Sequence, residues 1–163
     1  MRKTLIGLIA ILTMSIVAYS ETRIGVFDGQ KVVENTRKGK AIAAKLEALG
    51  NQKQTRLKTM QADIRKLEKE LSSPALNAAG REQKGLELQN KRTAAKRFIE
   101  DSQREVRITT EKEMTAFKTE IFPIIQQIGK EKGFTIILEA PAVLYYDPAI
   151  DITSEIVKRI DSK

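Results

Sequence analysis

The sequence predicts an α+β protein, mostly α: a long antiparallel helical hairpin rising from a small β-strand body that joins copies of the chain. Three observations point there. Apolar residues recur at steps of three and four along two long stretches. Ser72-Ser73-Pro74 and Asn77-Ala78-Ala79-Gly80 part those stretches. Short β-branched runs flank the pair rather than lying between its halves. Composition agrees: of 163 residues, 31% are charged and 5% aromatic, too few bulky side chains for a large compact core.

In chain order, residues 1–20 read as a secretory signal peptide. Arg2 and Lys3 precede the uncharged apolar run Leu5 to Val17, and Ala18-Tyr19-Ser20 places small residues where a signal peptidase reads. As a helix that run would span about 20 Å, short of the roughly 30 Å of a hydrocarbon core. Cleavage near Ser20 and work outside the cytoplasm are therefore expected. The mature chain divides into a body, residues 21–36 and 134–163, and an arm, residues 37–133, with a tip loop at about 72–80.

Arg23 to Asp28 reads as a strand stopped by Asp28-Gly29. A helical period follows from about Lys31. Ile42, Leu46 and Leu49 begin a seam that Leu57, Met60, Ile64, Leu67 and Leu71 continue after an 11-residue offset, the mark of a stutter. Beyond the tip, Leu88, Ala95, Ile99 and Val106 keep heptad spacing, interrupted by Arg92 and Ser102. Met114, Phe117, Ile121, Ile124 and Ile128 complete the second arm. Pro123 predicts a kink or short break where arm meets body. Gly133 closes the helix, with Lys130 and Lys132 in its last turn. Residues 134–138 and 143–146 read as two more strands, and Thr153 as the cap of a final helix with Ile156, Val157 and Ile160 on one face. Three short strands leave edges to cover, so self-association is expected, through Ile24, Val26, Phe27, Ile136, Leu138, Leu144 and Tyr145.

Charge is segregated. The arm carries 22 basic against 13 acidic residues, while the two body segments together carry 5 against 8. Lysine and arginine solvate any long helix; Lys91, Arg92, Lys96, Arg97, Arg104 and Arg107 are denser than the rest. They are either a solvated face or the candidates for an anionic surface. Catalytic chemistry has no support. Without His or Cys no imidazole- or thiolate-based site can form, no phosphate-cradling glycine loop occurs, and the carboxylate pairs lie on solvated helices. No enzyme, cofactor or metal site is expected.

The end motifs carry a resemblance. Ile24-Gly25-Val26-Phe27-Asp28-Gly29-Gln30-Lys31-Val32 precedes the basic hairpin; Ile128-Gly129-Lys130-Glu131-Lys132-Gly133-Phe134 follows it, then Val143-Leu144-Tyr145-Tyr146 and Ile150 to Arg159. Together they resemble the Skp/OmpH family of periplasmic chaperones over the whole mature chain. The resemblance implies a homotrimer whose β body joins three subunits and whose hairpins surround a cavity. There the family holds unfolded outer-membrane β-barrel proteins without nucleotide. Anionic lipid or lipopolysaccharide is a further partner it implies, with no residues assigned. The scarcity of apolar residues from Asp101 to Glu113 predicts arms that splay. Two other readings compete: a rigid periplasmic spacer or envelope-tethering coiled coil, and a basic nucleic-acid-binding protein. The second lacks a recognition motif and stacking aromatics on the arms.

Overall fold

The computed structural model describes residues 22–162, so the expected signal peptide lies outside the described residues. The elements run β1 (Ile24–Phe27), α1 (Gly29–Asn35), α2 (Arg37–Leu71), α3 (Ala78–Lys132), β2 (Ile136–Glu139) and α4 (Thr153–Asp161), with 3-10 turns at Ala140–Ala142 and Pro148–Ile150. Helices α2 and α3 pack antiparallel as the arm. With 55 residues, α3 is about 80 Å long. No described helix is long and apolar enough to cross a membrane.

Local chemistry sets each boundary. The Asp28 side chain accepts from the Lys31 amide (3.1 Å) and starts α1. Thr36, fully buried, accepts from the Gly39 amide (3.1 Å) and starts α2 in a new direction. Gly39 is required there, because a Cβ would sit inside the van der Waals radius of the Val33 carbonyl oxygen. At the tip, Asn77 caps α3 through the Gly80 amide (2.8 Å). The Arg81 guanidinium donates to the carbonyls of Leu71, Ser73 and Leu76 at 3.0–3.1 Å, satisfying acceptors that the end of α2 leaves without helical partners. Gly133 ends α3 in the left-handed region at φ 68°. The Phe134 amide then donates back to the Gly129 carbonyl (2.9 Å) and the Gly133 amide to Lys130 (3.4 Å).

The core lies at the base of the arm. Val32 of α1, Ile42 of α2, Phe117, Ile121, Ile124 and Ile128 of α3, and Ile152, Ile156 and Ile160 near and along α4 form one buried cluster. The roots of both arm helices are thus part of the body's interior. The sheet has two parallel strands in the register Ile24↔Ile136 to Phe27↔Glu139. On the far side of β1, Asp151 makes a single bridge to Val26.

Three expectations need correction. Residues 143–146 form no strand; Leu144 and Tyr145 stand fully exposed. Strand propensity is realised only against a partner edge, and within one protomer none lies alongside. Of the kink or short break expected at Pro123, the break does not occur, because α3 is helical from 78 to 132. The buried Ile121 and Ile124 on either side pin it into the core, offsetting the missing hydrogen bond. Ile99 points outward at 37% exposure rather than into the seam.

Candidate binding surface

The arm's interior seam shows what its outer surface can do. On α2 the residues turned toward α3 are Ile42, Leu46, Leu49, Lys53, Leu57, Met60, Ile64 and Leu67. The two successive steps of four around Lys53 are the stutter, so a charged side chain occupies the position where the apolar rhythm slips. Lys53 Nζ answers with a 2.6 Å ion pair to Glu105 of α3. On α3 the opposing residues in mid-arm are Ser102, Val106, Thr109, Thr110 and Glu113. Ser102 Oγ is buried without a hydrogen-bond partner, an unfavourable state for a hydroxyl. The middle of the arm is therefore held by thin apolar packing from Leu49, Leu57 and Val106 and by one ion pair, Lys53–Glu105.

A ladder of ion pairs runs along it and changes sign. In the basal half, α2 supplies the cations: Lys38 pairs with Glu120, Lys45 with Glu113 (2.6 Å) and Lys53 with Glu105. In the distal half, α2 supplies the anions: Asp63 pairs with Lys91 (3.2 Å), Glu68 with Arg92 (2.6 Å) and Glu70 with Lys84. Direct hydrogen bonds from lysine hold Glu113 and Glu70 below the usual carboxylate range, Lys45 acting on the first and Lys84 on the second. The same bond raises Lys84. At the base, Arg159 and then Gln127 lower Glu131. Partial burial pushes Asp151 upward, but hydrogen bonds from Thr153 outweigh it and leave the group lowered.

Against this ladder the six candidate cations separate. Lys91 and Arg92 are committed to α2 carboxylates. Arg104 lies 3.9 Å from Asp101 and Arg107 3.5 Å from Glu111, both on their own helix and well exposed. Lys96 and Arg97 are exposed and make no ion pair among the described residues. Arg97 lines an open hollow of about 470 Å³ with Arg56, Met60, Asn90, Ala94 and Phe98. The Arg56 guanidinium lies over the Phe98 ring, 5.1 Å from its centroid. Arg56 was missing from the sequence candidates. Folding α2 back on α3 would have placed it opposite Phe98. Leu86 and Ile108 add exposed apolar groups to α3.

The candidate contact residues of the body are brought together in part. Ile24, Val26, Ile136 and Leu138 share one sheet face, with Ile24 and Ile136 opposite each other. Val26 is buried within the protomer at 1% exposure, so its side chain has nothing left to offer a partner. Phe27 is on the other face, where it lines an apolar groove of about 630 Å³ with Val33, Met114, Phe122, Ile125 and Ile137.

A long helical arm rooted in a small α+β base offers contacts by surface and reach rather than an enclosed site. Residues 23–160 match the family of OmpH-like outer membrane proteins, and the chain belongs to that family. Among solved structures it is similar to an OmpH-like protein of Caulobacter crescentus CB15 described as an outer membrane chaperone candidate. The two share 26% identity over 86% of this chain and 85% of the other, with a TM-score of 0.78. No curated protein matches. Family and neighbour together support a chaperone role.

Proposed function

We propose that this protein is an ATP-independent periplasmic holdase. It assembles as a homotrimer through the body, and the arms of its three subunits enclose unfolded outer-membrane β-barrel proteins until insertion. The observation that carries this reading is the arm itself: a reach of about 80 Å along α3, an excess of cations, and a seam whose mid-arm apolar packing is thin and interrupted by the Lys53–Glu105 ion pair. A client needs many weak, reversible contacts rather than one deep well, and such an arm can splay to fit clients of different size. The body, 21–36 with 134–163, and the arm, 37–133, act as separate functional parts, and the signal peptide directs export.

The test is to dilute a urea-unfolded outer-membrane barrel protein into the exported, purified chain without ATP and follow light scattering. Suppression at a stoichiometric amount of trimer is expected. Undiminished aggregation at several-fold excess would remove the holdase reading and leave a structural spacer with stiff arms.

A further inference from the structure

The two helices of the arm have unlike outer faces. Its exposed large apolar side chains, Leu86, Ile99, Ile108 and Phe122, all belong to α3. On α2 the exposed apolar side chains are alanines alone among the described residues. Apolar groups scattered singly over a surface are ordinary. Leu86 and Ile108 are not scattered.

These two, 58% and 52% exposed, stand 11 residues to either side of Arg97. Eleven residues make three turns and about 20° more, so the three side chains share one stripe of α3. Asn90, Asp101 and Arg104 fall on the same stripe, at steps of three, four and seven, and all six residues are exposed. The middle of the stripe borders the hollow of about 470 Å³ between α3 and α2. Half-buried Met60 and Phe98 give that hollow apolar walls, with the Ala94 methyl beside them. Exposed Arg56 and Arg97 give it cations. Arg104 lies 3.9 Å from Asp101 and offsets the one carboxylate on the stripe. Three arginines thus stand against one aspartate, with apolar contacts at the centre and at both ends.

We infer that this stripe is the face on which the arm takes up a client. It fits an extended stretch of unfolded chain with acidic residues near its middle and apolar side chains at its middle and ends. From Leu86 to Ile108 the helix rises about 33 Å, the length of about ten extended residues. Carboxylates of such a stretch meet Arg56 and Arg97 by charge complementarity. A neighbouring aromatic or aliphatic side chain enters the hollow against Phe98 and Met60. Every contact stays partly in water, so each is weak and the whole is reversible. A folded protein, with its apolar side chains buried, presents no such stretch. The inference rests on the holdase reading above and assigns its contact face to α3 rather than α2.

The chain has no cysteine, so single cysteines carrying a thiol-linked benzophenone report contact position by position. Leu86→Cys and Ile108→Cys test the stripe, and Ala44→Cys and Ala62→Cys, exposed on α2, are the comparison. With a urea-unfolded outer-membrane barrel protein as client, crosslinks are expected from the α3 positions far above the α2 positions, and to acidic stretches of the client. Leu86→Ser/Ile108→Ser is expected to weaken capture about tenfold. Its helicity by circular dichroism stays unchanged, because both side chains are exposed. Equal crosslinking from the two helices, or full capture by the double-serine variant, overturns the stripe and leaves the holdase standing on another face. Crosslinks that go instead to a second copy, or to phosphatidylglycerol vesicles added with the client, give the stripe a different occupant and overturn it too. A parent protein that neither captures nor crosslinks the client removes both readings.

Discussion

At the scale of single residues, two glycines and three cations make separable predictions. Gly39 has no room for a methyl group against the Val33 carbonyl, so Gly39→Ala is expected to cost about 2 kcal/mol or more. At Gly133 nothing lies near the missing Cβ, and only the left-handed backbone opposes a side chain. Gly133→Ala is expected to cost about 1 kcal/mol. Urea midpoints at matched slope distinguish the two. Lys96 and Arg97, which make no ion pair among the described residues, can be neutralised with little effect on folding. Lys96→Gln/Arg97→Gln should weaken client capture roughly two- to fivefold at low salt and hardly at all at high salt. Unchanged capture at low salt would return these cations to plain solvation. Arg92→Gln should act instead through arm stability, since it releases Glu68. Charge density in the sequence identified the cluster on α3 but could not divide it. Which cations are spent on α2 depends on the register between two helices, and no spacing within one helix reveals it.

At the scale of elements, the arm is weakest in its middle. Ser102→Ala removes a buried hydroxyl without a partner and is expected to stabilise the arm by about 1 kcal/mol, read as slower amide exchange on α2 and α3. A destabilised variant would mean that a water serves Ser102. Acid should act on two rungs of the ion-pair ladder, Glu70 and Glu113, and on the Glu131–Arg159 pair at the base. Glu70, Glu113 and Glu131 are lowered in the folded state, so their contribution is present above the ordinary carboxylate value of about 4.3. It is lost as the pH falls through their lowered values. Helicity followed by circular dichroism should therefore decline on acidification below about pH 4, and a flat titration would contradict the ladder. The hairpin, its tip and the closing Gly133 were legible in the sequence because period and punctuation are local signals. The break at Thr36 was not, since α1 and α2 are both helical and only a buried threonine cap divides them. The unbroken course through Pro123 was hidden too, because core packing around it decides the outcome. Residues 143–146 were read as a strand from propensity alone, and a protomer provides no partner.

At the scale of the whole molecule, stability and the proposed binding surface occupy different ends. The apolar cluster is confined to the base, whereas the arm carries the cations, the hollow at Arg56 and Phe98, and the thin seam. Destabilising the base by Ile128→Ala, a fully buried site, should cost about 2–5 kcal/mol and abolish capture by unfolding the whole. Stiffening mid-arm through Lys53→Leu/Glu105→Leu should be neutral or stabilising while narrowing the size range of clients held, measured as scatter suppression against barrel proteins of different length. Equal suppression for every client would show that arm compliance plays no part. The pairing of Ile24 with Ile136 also fixes the order of events when the chain is made. The first strand leaves the ribosome early, yet its partner follows only after the complete hairpin. The arm can zip from its tip using neighbouring residues, but the base must wait for the final stretch of chain. Each newly made copy therefore passes through a period with its own β1 unpaired, in the same aggregation-prone condition as the proteins it is proposed to shelter.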